Sequence, residues 1–226
     1  MKWKNKSVFV KESKRKKTMD IVIERNGSLC VLVPEHFAKE QIIEILDKKE
    51  YDITKKLIQW EETHKNKIVR RYMAGQSFMY LGRNYCLNFV ENAKTSLSLQ
   101  NGKFLMDSEV TDPRQIFINF YKKQAQIIVQ KRFDKFSKLL NIQAHDMQIR
   151  DIRSRWGSCT PNKRIFYHWK VAMLPPKIVD YIILHELMHV KYPRHTCQFW
   201  NEIANILPDY TNSVTWLREK GICVEL

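Results

Sequence analysis

The chain has 226 residues, 44% of them hydrophobic and 12% aromatic, and a formal net charge of +15 at pH 7. This balance is typical of a globular protein with a buried core and excludes a disordered or collagen-like chain. No apolar run is long enough to cross a bilayer, and no apolar segment follows the lysine-rich N-terminus as in a signal peptide. The positive charge favours contact with polyanions such as nucleic acid. A soluble protein of merely basic composition is the alternative.

The cysteines indicate a reducing compartment. They number five, and no two have the C-x-x-C spacing: Cys30, Cys86, Cys159, Cys197 and Cys223. An odd number of scattered cysteines argues against a disulfide framework. We therefore expect reduced thiols, a cytoplasmic location and no association with a membrane.

The N-terminal residues are strongly basic. Residues 2–17 contain eight lysines and arginines, and Glu12 is their only acidic residue. Like charges at this density resist compaction, so we expect residues 1–18 to form a basic arm that is mobile at least in part. Such an arm is either a solvated tail or a contact for nucleic-acid phosphates, and the sequence leaves both open.

Residues 19–112 are expected to form a β-rich N-terminal part. Two apolar runs flank Asn26-Gly27, which is a strong hairpin signal. Helical spacing then extends from Ala38 to about His64, consistent with two helices. Alternating residues predict two further strand pairs, within 77–90 and 96–106.

Residues 113–226 change to a pattern dominated by helices. A long amphipathic stretch follows Pro113, and short strands are predicted at 147–152 and 164–169. Pro175-Pro176 opens a segment that is apolar on nearly every side and is therefore expected to be a buried helix. The sequence predicts an α+β fold in which the long helix packs behind this one and antiparallel strands precede it.

The buried helix carries the candidate metal site. It contains His185-Glu186-x-x-His189, and His195 follows beyond Pro193. Histidines four residues apart project from one helix face, within reach of one Zn²⁺ ion. Glu186 lies one step round the helix, where it can take a proton from a metal-activated water without acting as a ligand. Pro193 ends the helix, so the chain can turn and bring His195 back.

Two readings of this site remain open. Three histidines with a fourth position free for water are typical of a catalytic zinc site, and Arg153, Arg155 or Tyr192 could steady the substrate or its oxyanion. Alternatively, Cys197 closes the shell, and the protein is a nucleic-acid-associated module with a structural zinc or a vestigial peptidase.

Several motifs together resemble the YgjP-like metallopeptidases, a family related in outline to the SprT-like and WLM peptidases. They occur in the order Arg155-Trp156-Gly157-Ser158-Cys159, Asp180-Tyr181, His185-Glu186-Leu187-x-His189, His195-x-x-x-Phe199-Trp200 and Pro208-Asp209-Tyr210. The likeness extends back to the first hairpin and covers most of the chain beyond the basic arm. It implies a zincin-like domain at 113–226 and a peptidase that acts on proteins or peptides. It also implies one Zn²⁺ per chain held by His185, His189 and His195, with Glu186 as general base.

Two departures are informative. Family members usually have asparagine where this chain has His168. This histidine is an additional donor on the oxyanion side, a residue that supports the site or a tolerated replacement, and we favour the last two over a catalytic role. The three-histidine spacing equals that of metzincins, but Tyr192 stands at the glycine position and no methionine follows His195. The chain is therefore not predicted to be a metzincin.

Overall fold

The computed structural model describes residues 1–4, 6–13, 18–24, 27–35, 37–64, 70–143, 146–152 and 155–226. The chain forms two compact units, Met1–Lys67 and Ile68–Leu226. Each unit is described by itself.

The first unit combines a four-stranded sheet with two helices. Its strands are β1 (Lys2–Trp3), β2 (Lys6–Glu12), β3 (Asp20–Ile23) and β4 (Leu29–Val33), in the order β1-β2-β4-β3. Strands β3 and β4 pair antiparallel, which confirms the predicted hairpin; Gly27 has φ +83°, whereas Asn26 lies outside the described residues. Helices α1 (Lys39–Lys48) and α2 (Glu50–His64) confirm the two helices predicted there.

The first twelve residues do not form the basic arm that the sequence predicts for residues 1–18, because most of them lie in two strands. Strand β2 pairs in parallel with β4 and lies between β1 and β4 in the sheet. Trp3 and Val8 are 5% and 2% exposed, and the Trp3 indole donates a 2.8 Å hydrogen bond to Asp47. The apolar residues between the lysines therefore form part of a core. Residues 14–17 lie outside the described residues.

The second unit begins with a sheet that packs on a long helix. Its strands are β5 (Ser77–Tyr80), β6 (Arg83–Val90), β7 (Leu97–Gln100) and β8 (Lys103–Asp107), in the order β5-β6-β8-β7. Both predicted strand pairs are confirmed as antiparallel hairpins. The helix is α3 (Pro113–Leu140), and its Phe117 ring lies 4.1 Å from that of Phe78 and 5.2 Å from that of Phe104.

A second, three-stranded sheet precedes the histidine helix. It contains β9 (Asp146–Arg150), β10 (Gly157–Cys159) and β11 (Arg164–His168), in the order β10-β11-β9. Strands β10 and β11 are antiparallel, as expected, but β9 and β11 are parallel. The expectation of antiparallel strands is wrong for that pair, because β10 lies between them in sequence and returns the chain to its original direction. A 3₁₀ helix, Trp169–Met173, follows β11.

Three helices complete the chain: α4 (Pro176–Lys191), α5 (Cys197–Ile206) and α6 (Tyr210–Glu219). Helix α4 is held on two sides. The Tyr167 hydroxyl of β11 donates to the Ile183 carbonyl at 3.1 Å, and Arg132 of α3 pairs with Asp180 at 2.7 Å. The long helix therefore packs on the histidine helix, as the amphipathic pattern predicted.

The architecture is mixed α+β. The sequence predicts a boundary at residue 112, where the pattern changes from strands to helices, whereas the two compact units meet between Lys67 and Ile68. Strands β5–β8 belong to the second unit because Phe78 and Phe104 share one core with α3. Among the described residues, no helix is both long and apolar enough to span a membrane.

Candidate metal centre

The sequence around α4 determines where its histidines point. Pro175 and Pro176 open the helix, and apolar residues bury most of its surface. The last helical residue is Lys191, because Tyr192 already has an extended backbone and Pro193 follows. The Thr196 hydroxyl then caps α5 by accepting a hydrogen bond from the Phe199 backbone N–H at 3.3 Å. The short link between α4 and α5 turns His195 back toward α4.

Three imidazoles converge at the C-terminal half of α4. One nitrogen from each of His185, His189 and His195 lies within 4.8 Å of the others. The Nε2 atoms of His185 and His195 are 3.1 Å apart. Two nitrogens bound at roughly 2.0–2.1 Å by one tetrahedral ion are separated by about 3.3 Å. The donor set therefore fits Zn²⁺.

Each helical histidine uses its other nitrogen to fix its ring. The Nδ1 of His185 lies 3.3 Å from the Tyr181 hydroxyl, and the Nδ1 of His189 lies 3.1 Å from the Tyr192 carbonyl. Such contacts fix the tautomer that leaves Nε2 free for a metal. Burial, followed by the nearby histidines, lowers the pKa of His185 to about 3, and burial also lowers the pKa of His189. Both rings are thus neutral, as ligands must be.

Aromatic rings from α5 and α6 support the exposed member of the triad. The His195 ring stacks on Trp200, with centroids 5.4 Å apart and planes 21° apart. Trp200 stacks on Tyr210, and Tyr210 on Tyr181, at 5.4 Å and 6.3 Å. Because Tyr181 also contacts His185, this continuous stack links two candidate ligands.

Glu186 lies beside the histidines, but among the described residues it is not a member of the ligand cluster. It is 8% exposed, and burial raises the pKa of its carboxyl to about 7. The positive charge of Arg155 and a hydrogen bond from the Cys159 backbone oppose that rise in pKa. A Cβ at Gly157 of β10 would lie 2.6 Å from Glu186 Cγ, so only glycine leaves room for the carboxylate here.

The remaining candidates have different surroundings. Arg153 lies outside the described residues, whereas Arg155 is exposed and acts electrostatically on Glu186. His168 is buried: its Nδ1 accepts the Lys170 N–H at 2.9 Å, and its Nε2 lies 3.2 Å from an oxygen of Asp151. The first contact fastens the end of β11 to the 3₁₀ helix, and the second joins it to the residue that follows β9. Tyr192 reaches the centre through its backbone carbonyl.

Cys197 is exposed and, in the described part of the chain, stands outside the cluster of potential ligands. The structure thus gives no support to a shell closed by this thiol.

Sequence reasoning missed two contacts of the centre. It did not assign the Tyr181 hydroxyl to His185, although the i, i+4 spacing of these two residues on α4 was available. It also treated Gly157 as a turn marker, whereas Gly157 permits the close approach of β10 and Glu186. The second contact joins residues far apart in sequence, so no local pattern could have indicated it.

Fold and site together define an α+β protein with a cluster of three histidines that could hold a metal ion and a buried carboxylate beside it. The chain belongs to the YgjP-like family, whose metallopeptidase domain matches residues 17–220. No match is found among the curated proteins. Among solved structures, the chain is similar to the metallopeptidase zymogen abylysin of Pyrococcus abyssi, with 23% identity and a TM-score of 0.34. That alignment covers 42% of this chain and 87% of abylysin.

Proposed function

We propose that the protein is a zinc-dependent peptidase of the zincin type, with one Zn²⁺ held by His185, His189 and His195. The observation that carries the proposal is the convergence of three imidazoles next to a buried carboxylate outside the ligand cluster. Membership of the YgjP-like metallopeptidase family supports it.

Glu186 is the proposed general base. A bound Zn²⁺ would supply a Lewis acid that polarises the substrate carbonyl and lowers the pKa of the attacking water. A base is most effective when its pKa is close to the working pH, and burial gives Glu186 a pKa of about 7. Glu186 takes the proton of the attacking water and later delivers it to the departing amine. Arg155 is the proposed contact for developing negative charge.

The proposed substrate is an extended stretch of polypeptide. Strand β10 is at one edge of its sheet, next to Glu186, so its outer backbone groups can pair with a peptide backbone. Recruitment to nucleic acid is a further part of the proposal, and the net charge of +15 supports it.

The test is the substitution Glu186→Gln. The amide has nearly the same shape but cannot accept the proton, so hydrolysis of unfolded proteins or a peptide library should fall by ~10²–10⁴-fold. Zinc content and the circular dichroism spectrum should remain those of the wild type. Hydrolysis by Glu186→Gln at the wild-type rate would contradict the proposed mechanism.

The control addresses the metal. His195→Ala removes a proposed ligand, so the purified variant should contain less zinc than either the wild type or Glu186→Gln. Unchanged zinc in His195→Ala would remove His195 from the ligand set.

A further inference from the structure

A groove lies between strand β7 and helix α3 in the second unit. Its volume is about 740 Å³, within the usual range for binding sites. The strand side contributes Thr95–Leu99, the helix side contributes Ile116, Asn119, Phe120, Lys123 and Gln124, and Tyr80 of β5 lines one end through its contact with Gln124. None of these residues belongs to the metal centre.

The groove follows the edge of the sheet. Strand β7 is the last strand in the order β5-β6-β8-β7. Successive side chains of a strand point to opposite faces, so a groove over one face would touch every second residue. Within β7 this groove is lined by three consecutive residues, Leu97, Ser98 and Leu99. It therefore runs along the outer edge, where the backbone is accessible.

The register with β8 shows which backbone groups face the groove. Asp107 N–H donates to the Ser96 carbonyl, and Leu97 lies opposite Met106. In an antiparallel pair, hydrogen-bonded positions alternate with positions whose N–H and C=O groups point away from the partner strand. Ser96 and Ser98 are thus bonded to β8, while the N–H and C=O groups of Leu97 and Leu99 point outward. In the part of the chain that the structure describes, these four groups have no backbone partner and form the open edge of the sheet.

The helix side determines which side chains would fit. Leu97 and Leu99 lie opposite the buried residues Met106 and Phe104, so their side chains share the face that packs on α3. On that side Ile116 and Phe120 offer apolar surface. Lys123 offers a positive charge, and no carboxylate among the described residues lies within ion-pair distance of it.

We propose that this groove binds an extended polypeptide segment, which adds to β7 as a further strand and carries an apolar and an acidic side chain two residues apart. An antiparallel addition forms up to four backbone hydrogen bonds, with Leu97 and Leu99. The alternating side chains then meet the apolar surface of Phe120 and the ammonium group of Lys123. This binding site is separate from the metal centre and does not depend on hydrolysis.

The test measures fluorescence anisotropy of labelled octapeptides with Leu-Ser-Glu or Glu-Ser-Leu at the centre of a Ser/Thr background. It uses the full chain as wild type and as Glu186→Gln, so that the probe stays intact. At least one order of the two side chains should bind. Lys123→Glu should weaken binding of that peptide by roughly tenfold. When Lys replaces Glu in the peptide, the same variant should bind it again, because the two charges are exchanged.

The matched control is Lys122→Glu. This substitution changes the net charge equally at another exposed lysine of the same helix, but Lys122 does not line the groove. It should leave the affinity within about twofold, since screening weakens the effect of distant charges. Equal losses of affinity in the two variants would mean that the charge acts at long range and not in the groove, and would overturn the proposal. A failure of both peptides to bind would also overturn it.

N-methylation of the peptide separates strand addition from side-chain binding. Alternate N–H groups of an added strand face β7, so methylation should weaken binding at every second residue. Uniform effects at successive positions would also overturn the proposal.

Discussion

Glu186 and Gly157 face each other across the contact between α4 and β10. A Cβ at position 157 would lie 2.6 Å from Cγ and 2.9 Å from both Cδ and Oε1 of Glu186. Gly157 is not among the residues with positive φ, so its backbone tolerates other residues and only the close approach requires glycine. The missing side chain lets the Cys159 backbone hydrogen bond reach the Glu186 carboxylate.

We therefore predict that Gly157→Ala mainly impairs hydrolysis. The added methyl group must displace the Glu186 side chain, and misplacement of a catalytic group by about 1 Å costs on the order of 10²-fold in rate. Zinc content should be unchanged, because the three atoms nearest to the added methyl group all belong to Glu186, which is not a proposed ligand. The measurements are steady-state hydrolysis of a peptide substrate and metal analysis of the same preparation.

Gly221→Ala is the matched control, since its Cβ would approach no atom closer than 3.4 Å, the distance to Trp156 Nε1. It should retain most of the activity. Comparable losses in the two variants would mean that Gly157 does not act through Glu186.

The predictability of the site depends on how far apart in sequence its members lie. His185 and His189 are one helical turn apart, so their spacing alone predicted that they share a face. His195 is only six residues further on, across a proline that had to turn the chain. The Gly157–Glu186 contact joins a strand to a helix 29 positions later, and only the folded sheet brings the two together.

At the scale of elements, β1 and β2 show how charge can obscure a strand. Lysines flank the apolar residues here, and only Trp3 and Val8 are buried among the described residues of the two strands. The high density of charge therefore predicted a tail, although the sheet contains both strands. Similarly, the parallel pairing of β9 with β11 depends on the path of β10 between them, which residue alternation does not encode.

We predict that deletion of residues 1–17 destabilises the first unit. The deletion removes two strands and two buried side chains, and loss of one large buried side chain alone costs about 3–5 kcal/mol. Amide hydrogens of β4, which pairs with β2, should exchange faster with deuterium. The measurement is hydrogen exchange resolved to Leu29–Val33.

The contrasting variant replaces Lys2 and Lys6 with Gln. Both side chains are exposed, so exchange in β4 should stay close to that of the wild type, with a change in stability within about 0.5 kcal/mol. If the deletion left exchange in β4 unaffected, the first two strands would contribute nothing to the fold of this unit.

At the scale of the whole molecule, the net charge of +15 predicts binding to polyanions. The full chain should bind duplex DNA of random sequence, with an affinity that falls steeply as salt rises and depends little on sequence. Each lysine that contacts a phosphate contributes about 0.9 to the slope of log K against log salt, so the Lys2→Gln, Lys6→Gln variant should show a flatter slope. This variant is preferable to deletion, because it keeps Trp3 and Val8. Absence of binding at low salt would contradict the prediction.

The stack of rings that begins at His195 gives the protein an intrinsic optical probe. The indole of Trp200 lies parallel to the His195 imidazole, with centroids 5.4 Å apart. Any change in the charge or position of that imidazole alters the electric field at the indole, and with it the emission wavelength and near-ultraviolet dichroism of Trp200. Metal binding at the proposed site should therefore be visible on the unlabelled protein, and a Trp200→Phe variant distinguishes this signal from that of the other tryptophans.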